Sequence, residues 1–457
     1  MKKIFLILTT LMIIASLALS FTGCKKESTE TTSAETTATE TTSSETTASE
    51  STSAEKAEIV LWQDVAAYQE TFENIASLFM EENPNINVKI ELIPSTGWEQ
   101  GLTSAFIAGN EPDISYIQFD FALMMEQKYS PWLNLGDYGV KDWPEYKNQV
   151  PAALNCLTFK DKLYGLMQCD NWQGLFIRKS WMENVGWEKE YPYIESWQDL
   201  VDLAQKFTTE DPDKNGKNDT FGYEIFGSLS RNYAEVQFEY MMNAAGEELV
   251  KDGKLNFNTE KGIAACQFMK DLVFKYGVVP KDSSTYTHVE FYRDVEGGKV
   301  GIGRVAPWNV AGWDKALNGD YEVVPYPPME KGAYGYQSSV YRALCVSKNS
   351  KYPEAALKLV QFFLQDKAQE IMYKGTGFVL NKNLDYKTLS TSPRDLAFRV
   401  PNELVKPVYL VTDPNWTNEC KAILAIHVQN VIANANSDPA AEMKAAEEEI
   451  NKIFIKK

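Results

Sequence analysis

Trp62, Trp172, Trp308 and Trp416 each stand beside a short polar run. Gln63 and Asp64 follow the first, Asp170 and Asn171 precede the second, Asn309 separates Trp308 from Trp313, and Asn415 precedes the last. An indole offers a broad apolar face with one N–H at its rim, while neighbouring carboxylates and amides give directional hydrogen bonds. Together they match a sugar ring, which presents C–H faces for stacking and hydroxyls for polar contact. Eleven tryptophans in the chain are more than a core of this size requires. Taken singly, each is also compatible with partial core burial, where most indoles reside.

A second pattern is DPDKNGKND, Asp211 to Asp219. Asp211, Asp213, Asn215, the Lys217 carbonyl and Asp219 fall on positions 1, 3, 5, 7 and 9 of a calcium loop, with Gly216 at the sharp turn. Position twelve is Gly222 instead of the bidentate Glu, so Thr220, Glu224 or water would have to complete the shell. The expectation is a structural Ca2+, against the alternative of a solvated acidic turn.

Other chemistry is thinly represented. His288 and His427 are too few for a multi-histidine metal site and are expected to be structural. The six cysteines form no CxxC pair and no zinc spacing, and free buried thiols are expected. A formal net charge of −18 repels phosphate backbones and acidic lipid surfaces, which argues against a nucleic-acid partner. No nucleophile elbow, HExxH or phosphate loop occurs, so no catalytic residue and no catalytic cofactor is assigned. One alternative is a secreted glycoside hydrolase, whose carboxylate pair 63 acidic residues would easily supply. Another is a carbohydrate-binding surface adhesin.

The elements that must position these residues begin after an address. Lys2 and Lys3 precede an apolar run from Ile4 to Leu19, and FTGC closes the segment at Cys24. The run is shorter than the roughly 20 residues of a spanning helix and reads as a secretory signal. It resembles a bacterial lipoprotein signal, although Phe21 departs from the usual aliphatic residue; the resemblance implies that residues 1–23 are removed and that Cys24 is lipidated. From Ser28 to Glu55 only Ser, Thr, Ala and Glu occur, with Glu at every fifth position. Residues 24–57 therefore read as a solvated tether with a reach on the order of 30 Å, holding a folded body outside the cell at the membrane.

In that body strand and helix alternate. Glu58–Gln63, Asn87–Ile93 and Asp113–Ile117 read as strands, and Tyr68–Glu82 and Trp98–Ala108 as helices. Later come strands at Tyr164–Cys169 and Gly174–Lys179, then helices at Ser196–Phe207, Gly262–Tyr276 and Pro353–Lys374. The class is α/β with a parallel sheet covered on both faces, and the length suits two lobes. Gly375 and Gly377 read as a helix stop and a permissive bend.

Seven segments in order resemble the family 1 extracellular solute-binding proteins, the sugar-capturing lipoproteins of ATP-binding-cassette importers. They are the strand ending in Trp62, IAGNEPDISYI, LYGLMQ with LFIRKSWMENVGW, AAGEELVKDGKLNFN, GKVGIGRVAPWNVAGW, ALCVSKNSKYPEAALKLVQFFLQDKAQE and GTGFVLNKN. The resemblance implies a two-lobed periplasmic-binding-protein-like fold (type II), with the ligand cleft between lobes joined by crossing hinge strands. Crossings would lie near Tyr164–Cys169, Gln337–Leu344 and Gly375–Asn381, giving one lobe of 58–167 plus 340–377 and another of 168–339 plus 378–457. It further implies a carbohydrate ligand, permease partners in the membrane, stacking by Trp416 and Trp308, and polar contacts from the segments of Asp64, Asp120, Asp170 and Tyr336.

Overall fold

The computed structural model describes residues 56–94, 97–149, 157–332, 335–377, 381, 384, 386–389, 405–409, 413 and 415–454. The signal segment, Cys24 and the tether up to residue 55 lie outside the described residues, as do the side chains of 168–172 and 335–341. Ala54–Lys457 forms one compact unit.

The first strand, β1 (Ala57–Gln63), begins one residue earlier than the sequence suggests because the Ala57 N–H reaches the Asn85 carbonyl. Then follow α1 (Gln69–Glu82), β2 (Ile86–Leu92), α2 (Trp98–Ala108), β3 (Ile114–Gln118) and α3 (Phe119–Tyr129). Strand β1 pairs in parallel with both β2 and β3. Two 12-residue strands, β4 (Leu166–Ile177) and β5 (Gly335–Val346), then carry the chain between lobes. The far half of β5 pairs antiparallel with β3, through Arg342 opposite Gln118 to Val346 opposite Ile114. The near half of β4 pairs with β5, and its far half, Gly174–Ile177, pairs antiparallel with Val300–Val305 of the second lobe. The sheet is therefore mixed, not purely parallel: strands that pass from one lobe to the other must run back across the strands they join.

Side chains alternate across each strand, and this sorts the cores. In the first lobe Tyr116, Leu344 and Val346 face the layer of Phe72, Phe79 and Phe363, while Ile117, Ala343 and Cys345 face that of Leu102, Phe121 and Trp132. In the second lobe Leu175 and Ile177 face a large helical core, and Phe176 faces Phe291 and Trp313. What reads in sequence as two strands, Tyr164–Cys169 and Gly174–Lys179, is one strand. A Cβ on Gly174 would come within 2.4 Å of the Val324 carbonyl, so the glycine permits close approach of a neighbouring strand. The expected helix Pro353–Lys374 is two, Pro353–Phe363 and Asp366–Thr376, with Gln369 donating to the Phe363 carbonyl freed at the break. Gly375 lies inside the second of these, where a Cβ would meet Thr71 Oγ1 at 1.9 Å. It is a packing glycine, and only Gly377, at φ 73°, takes the left-handed cap conformation.

Cys266, Cys345 and Cys420 are buried free thiols. Among the described residues no helix is long and apolar enough to cross a membrane.

Candidate functional site

The two lobes meet where α3 faces the helix Asn418–Ala433. Asp120 sits in the first turn of α3, directly beyond strand β3, and Lys421 sits in the first turn of the later helix. Phe119 and Leu123 belong to a first-lobe core and Trp416 and Cys420 to the second-lobe core, so the Asp120–Lys421 ion pair spans the junction, with Nζ 2.6 Å from Oδ2. Burial pushes the Asp120 carboxyl up. The Lys421 ammonium and its hydrogen bond outweigh that and hold the group below its ordinary range. A narrow crevice opening to solvent lies here, walled by Asp120, Leu123 and Met124 on one side and by Asp413, Trp416 and Thr417 on the other.

Trp416 is 5% exposed, and its indole N–H donates to Glu235 Oε1 at 3.2 Å. It is thus both part of the second-lobe core and a wall of the crevice. Thr417 caps the following helix by accepting from the Cys420 N–H, which fixes the turn presenting the indole. Glu235 is itself buried, and its other oxygen has no partner. Burial pushes its carboxyl up to about 7, with Lys421 pulling the other way.

A second cluster lies beyond the carboxyl end of Val300–Val305, where an open α/β sheet takes its ligands. Trp308, in the first turn of helix Pro307–Ala316, is half-buried. Its indole N–H donates to the Tyr292 hydroxyl at 3.0 Å, and its ring packs against the first-lobe core. The Arg304 guanidinium lies over that ring, 5.6 Å from its centroid. Trp313, five residues on, is a fully buried core residue.

At the end of β1, the half-buried Trp62 donates to Glu91 Oε2 at 2.7 Å and lies 6.4 Å from the Trp98 ring. Asp64, expected in a segment of polar ligand contacts, is 7% exposed, and Arg342 occupies both its oxygens at 2.5 and 3.3 Å. A carboxylate so engaged ties β1 to crossing strand β5. The backbones of Asp170 and Tyr336 lie on the two crossing strands, as does that of Trp172; their side chains lie outside those described. The structure thus brings Asp120 and Trp416 together across one crevice, with Trp308 in a second cluster and Trp62 and Asp64 at the end of β1.

Lys421, Glu235, Arg304 and Arg342 were not expected. The three cations share a signal that composition alone hides: each is a lone basic residue in an otherwise apolar stretch, CKAILAI, VGIGRVA and VYRALCV.

The acidic loop is satisfied within itself. Asp211 accepts from the Asn215 and Gly216 N–H groups, and the Asn215 amide bridges Asp213 and Asp219 at 2.7 and 3.2 Å. The Lys217 N–H turns onto the Asn215 side chain, and Lys299 lies 2.7 Å from Asp219. Thr220 gives its hydroxyl to the Phe207 carbonyl, whereas Glu224 is buried with neither oxygen hydrogen-bonded. Among the described residues no three His, Cys, Asp or Glu side chains converge to hold a metal ion.

The model of the bacterial extracellular solute-binding protein family matches residues 62–370. The polygalacturonan/rhamnogalacturonan-binding protein YtcQ of Bacillus subtilis (strain 168) is 30% identical over 165 residues, which is 35% of this chain and only 32% of that protein. A binding protein of Brucella abortus (strain 2308) is 25% identical over 393 residues, 84% of this chain and 90% of its own length. Among solved structures, a solute-binding protein of an ABC transporter from Thermotoga lettingae TMO, bound with α-D-tagatose, superposes with a TM-score of 0.74 at 22% identity, over 87% of this chain and 100% of that one. Those similarities establish the two-lobed fold.

Proposed function

Because the chain belongs to the bacterial extracellular solute-binding protein family, we propose that it is a carbohydrate receptor that closes two lobes on its ligand and delivers it to an ABC-type importer, without catalysis of its own. The observation that carries this reading is the interlobe crevice, with an indole on one wall and a cross-lobe ion pair at its rim. Closure costs conformational freedom, so it must be offset by contacts made only when both walls touch the ligand. The names of relatives point the same way, since YtcQ is named for polygalacturonan and rhamnogalacturonan and the Thermotoga protein was solved with α-D-tagatose.

Intrinsic tryptophan fluorescence should change saturably when the right sugar is titrated in. Trp416→Ala should weaken that binding by about 1–3 kcal/mol, a range taken from aromatic stacking on nucleobases. It should also lower the melting temperature, because it strips Glu235 of its donor. Unaltered affinity in a folded Trp416→Ala protein would remove this indole from the site, and release of shortened sugars on incubation would replace the receptor with a hydrolase.

Two further parts belong to the proposal. Attachment to the membrane through lipidated Cys24 is supported by the basic, apolar, FTGC order, and an acyl mass absent from the mature N-terminus would refute it. A structural Ca2+ on Asp211, Asp213, Asn215, Lys217 and Asp219 is supported by their spacing and by the Asn215 amide that draws Asp213 and Asp219 together. Lys299 would have to leave Asp219 for the ion to enter. Chelation should then lower the melting temperature, whereas superimposable curves with and without Ca2+ would leave an acidic turn held by Lys299.

A further inference from the structure

Among the described residues Arg304 is a cation without an anion. Its Nη1 donates to Gln173 Oε1 at 2.7 Å and its Nη2 reaches the Tyr292 hydroxyl at 3.4 Å. The guanidinium sits between two aromatic faces, 5.0 Å from the Phe226 centroid and 5.6 Å from that of Trp308. Among the described residues no carboxylate pairs with it. Its Nε is buried with no acceptor, and so is Nε2 of Gln173, a fully buried residue whose Oε1 also accepts from Tyr240. The other half-buried arginines behave differently: Arg178 lies on Asp320 and Arg342 on Asp64.

Nor can the surrounding phenols serve as counter-ions. Burial pushes Tyr240 up to about 12 and raises Tyr233 and Tyr326 as well, so all stay neutral at physiological pH. A guanidinium cannot shed its proton, and a charge withdrawn from water without a partner is costly. The aromatic faces recover part of that cost. The two orphan donors, on Arg304 and Gln173, call for a group that only accepts, and a carboxylate does so in the plane that a guanidinium fork fits. Location decides where such a group comes from. Gln173 lies on a crossing strand, and Trp308 packs onto the first lobe's core, so the cage lies on the side where the lobes meet.

We propose that Arg304 and Gln173 bind the carboxylate of an acidic sugar, so that the carbohydrate this receptor captures carries a uronate. This rests on the carbohydrate-receptor reading and narrows it. A sulfate ester shares the acceptor chemistry, but its tetrahedral oxygens match the planar fork less well.

The test is calorimetric titration of the full chain with galacturonate and glucuronate oligomers, each beside its carboxyl-reduced neutral counterpart and a sulfated neutral oligomer. One acid oligomer should bind at least tenfold more tightly than its reduced counterpart and more tightly than the sulfated one. Arg304→Gln, with folding checked by its melting curve, should abolish that preference, and Arg304→Lys should keep part of it. Equal binding of acid and reduced forms, or binding of neutral sugars only, overturns the proposal while leaving the receptor reading in place. A preference that survives Arg304→Gln overturns it too, and a preference for the sulfated oligomer overturns the carboxylate assignment. If Arg304→Gln does not fold, the comparison of acid with reduced ligand on the unaltered protein decides. Failure of every sugar to bind would instead sink the receptor reading, and this inference with it.

Discussion

Replacing Asp64 with Ala should cost about 3–5 kcal/mol of stability, the range for removing one partner of a buried ion pair. The reason lies in what remains. The Arg342 side chain is 11% exposed and that of Asp64 5%, so deleting the carboxylate leaves a guanidinium inside the first lobe with the Tyr116 face, 5.1 Å away, as partial compensation. The position magnifies the effect, because the pairing of β5 with β4 shifts register between Arg342 and Ala343. The ion pair therefore anchors a crossing strand at its irregular point. Urea unfolding should show the loss as a lower midpoint, and the double variant Asp64→Leu, Arg342→Met should recover most of it. A single variant as stable as the parent would mean that water reaches Arg342 freely, and no recovery in the double variant would mean that the pair does more than satisfy itself.

The same pair marks the limit of what the sequence discloses. Strands β1 and β3 and helix α1 are legible because their apolar spacing is local: Phe72, Ile75 and Phe79 recur at helical intervals and all face one core. The hairpin at Val250–Leu255 is legible because Asp252 and Gly253, both at positive φ, suit a tight turn. Interlobe chemistry has no such local record. Asp64 and Arg342 are 278 residues apart and Asp120 and Lys421 301, and no periodicity links residues at that separation. Sequence reasoning could find Asp120 and Trp416 through resemblance, but not that Lys421 joins them, nor that Asp64 is already occupied. It reads β4 as two strands, Tyr164–Cys169 and Gly174–Lys179, because the polar run Asp170–Gln173 between them carries no strand pattern, whereas pairing with β5 continues through Asp170 and Asn171.

Stability should fall as pH rises from about 5 towards 9, the reverse of the trend in a protein dominated by paired carboxylates. Burial, with the Asp294 charge adding to it, pushes Glu224 up to about 9, and burial pushes Glu235 up to about 7. Above the ordinary glutamate value of 4.5, the unfolded chain releases these protons while the folded chain keeps them. The folded state then binds more protons, and by linkage its stability declines with pH until the folded-state values are passed. At about 1.4 kcal/mol per pH unit and group, Glu224 alone accounts for a loss on the order of 3 kcal/mol between pH 4.5 and 7. Asp120, Asp199 and Asp320 act oppositely: their carboxyls are held below 3.8, so what they contribute is present above that value and disappears in acid. The two sets together place the optimum near pH 5. Glu224→Gln removes the charge that cannot be accommodated and keeps the shape, so it should raise the melting temperature at pH 8 and change it little at pH 4.5. Melting curves of both proteins across this range decide the matter: parallel profiles would show that Glu224 finds a partner or water on ionising, and a parent profile rising from pH 5 to 8 would show that the paired aspartates prevail.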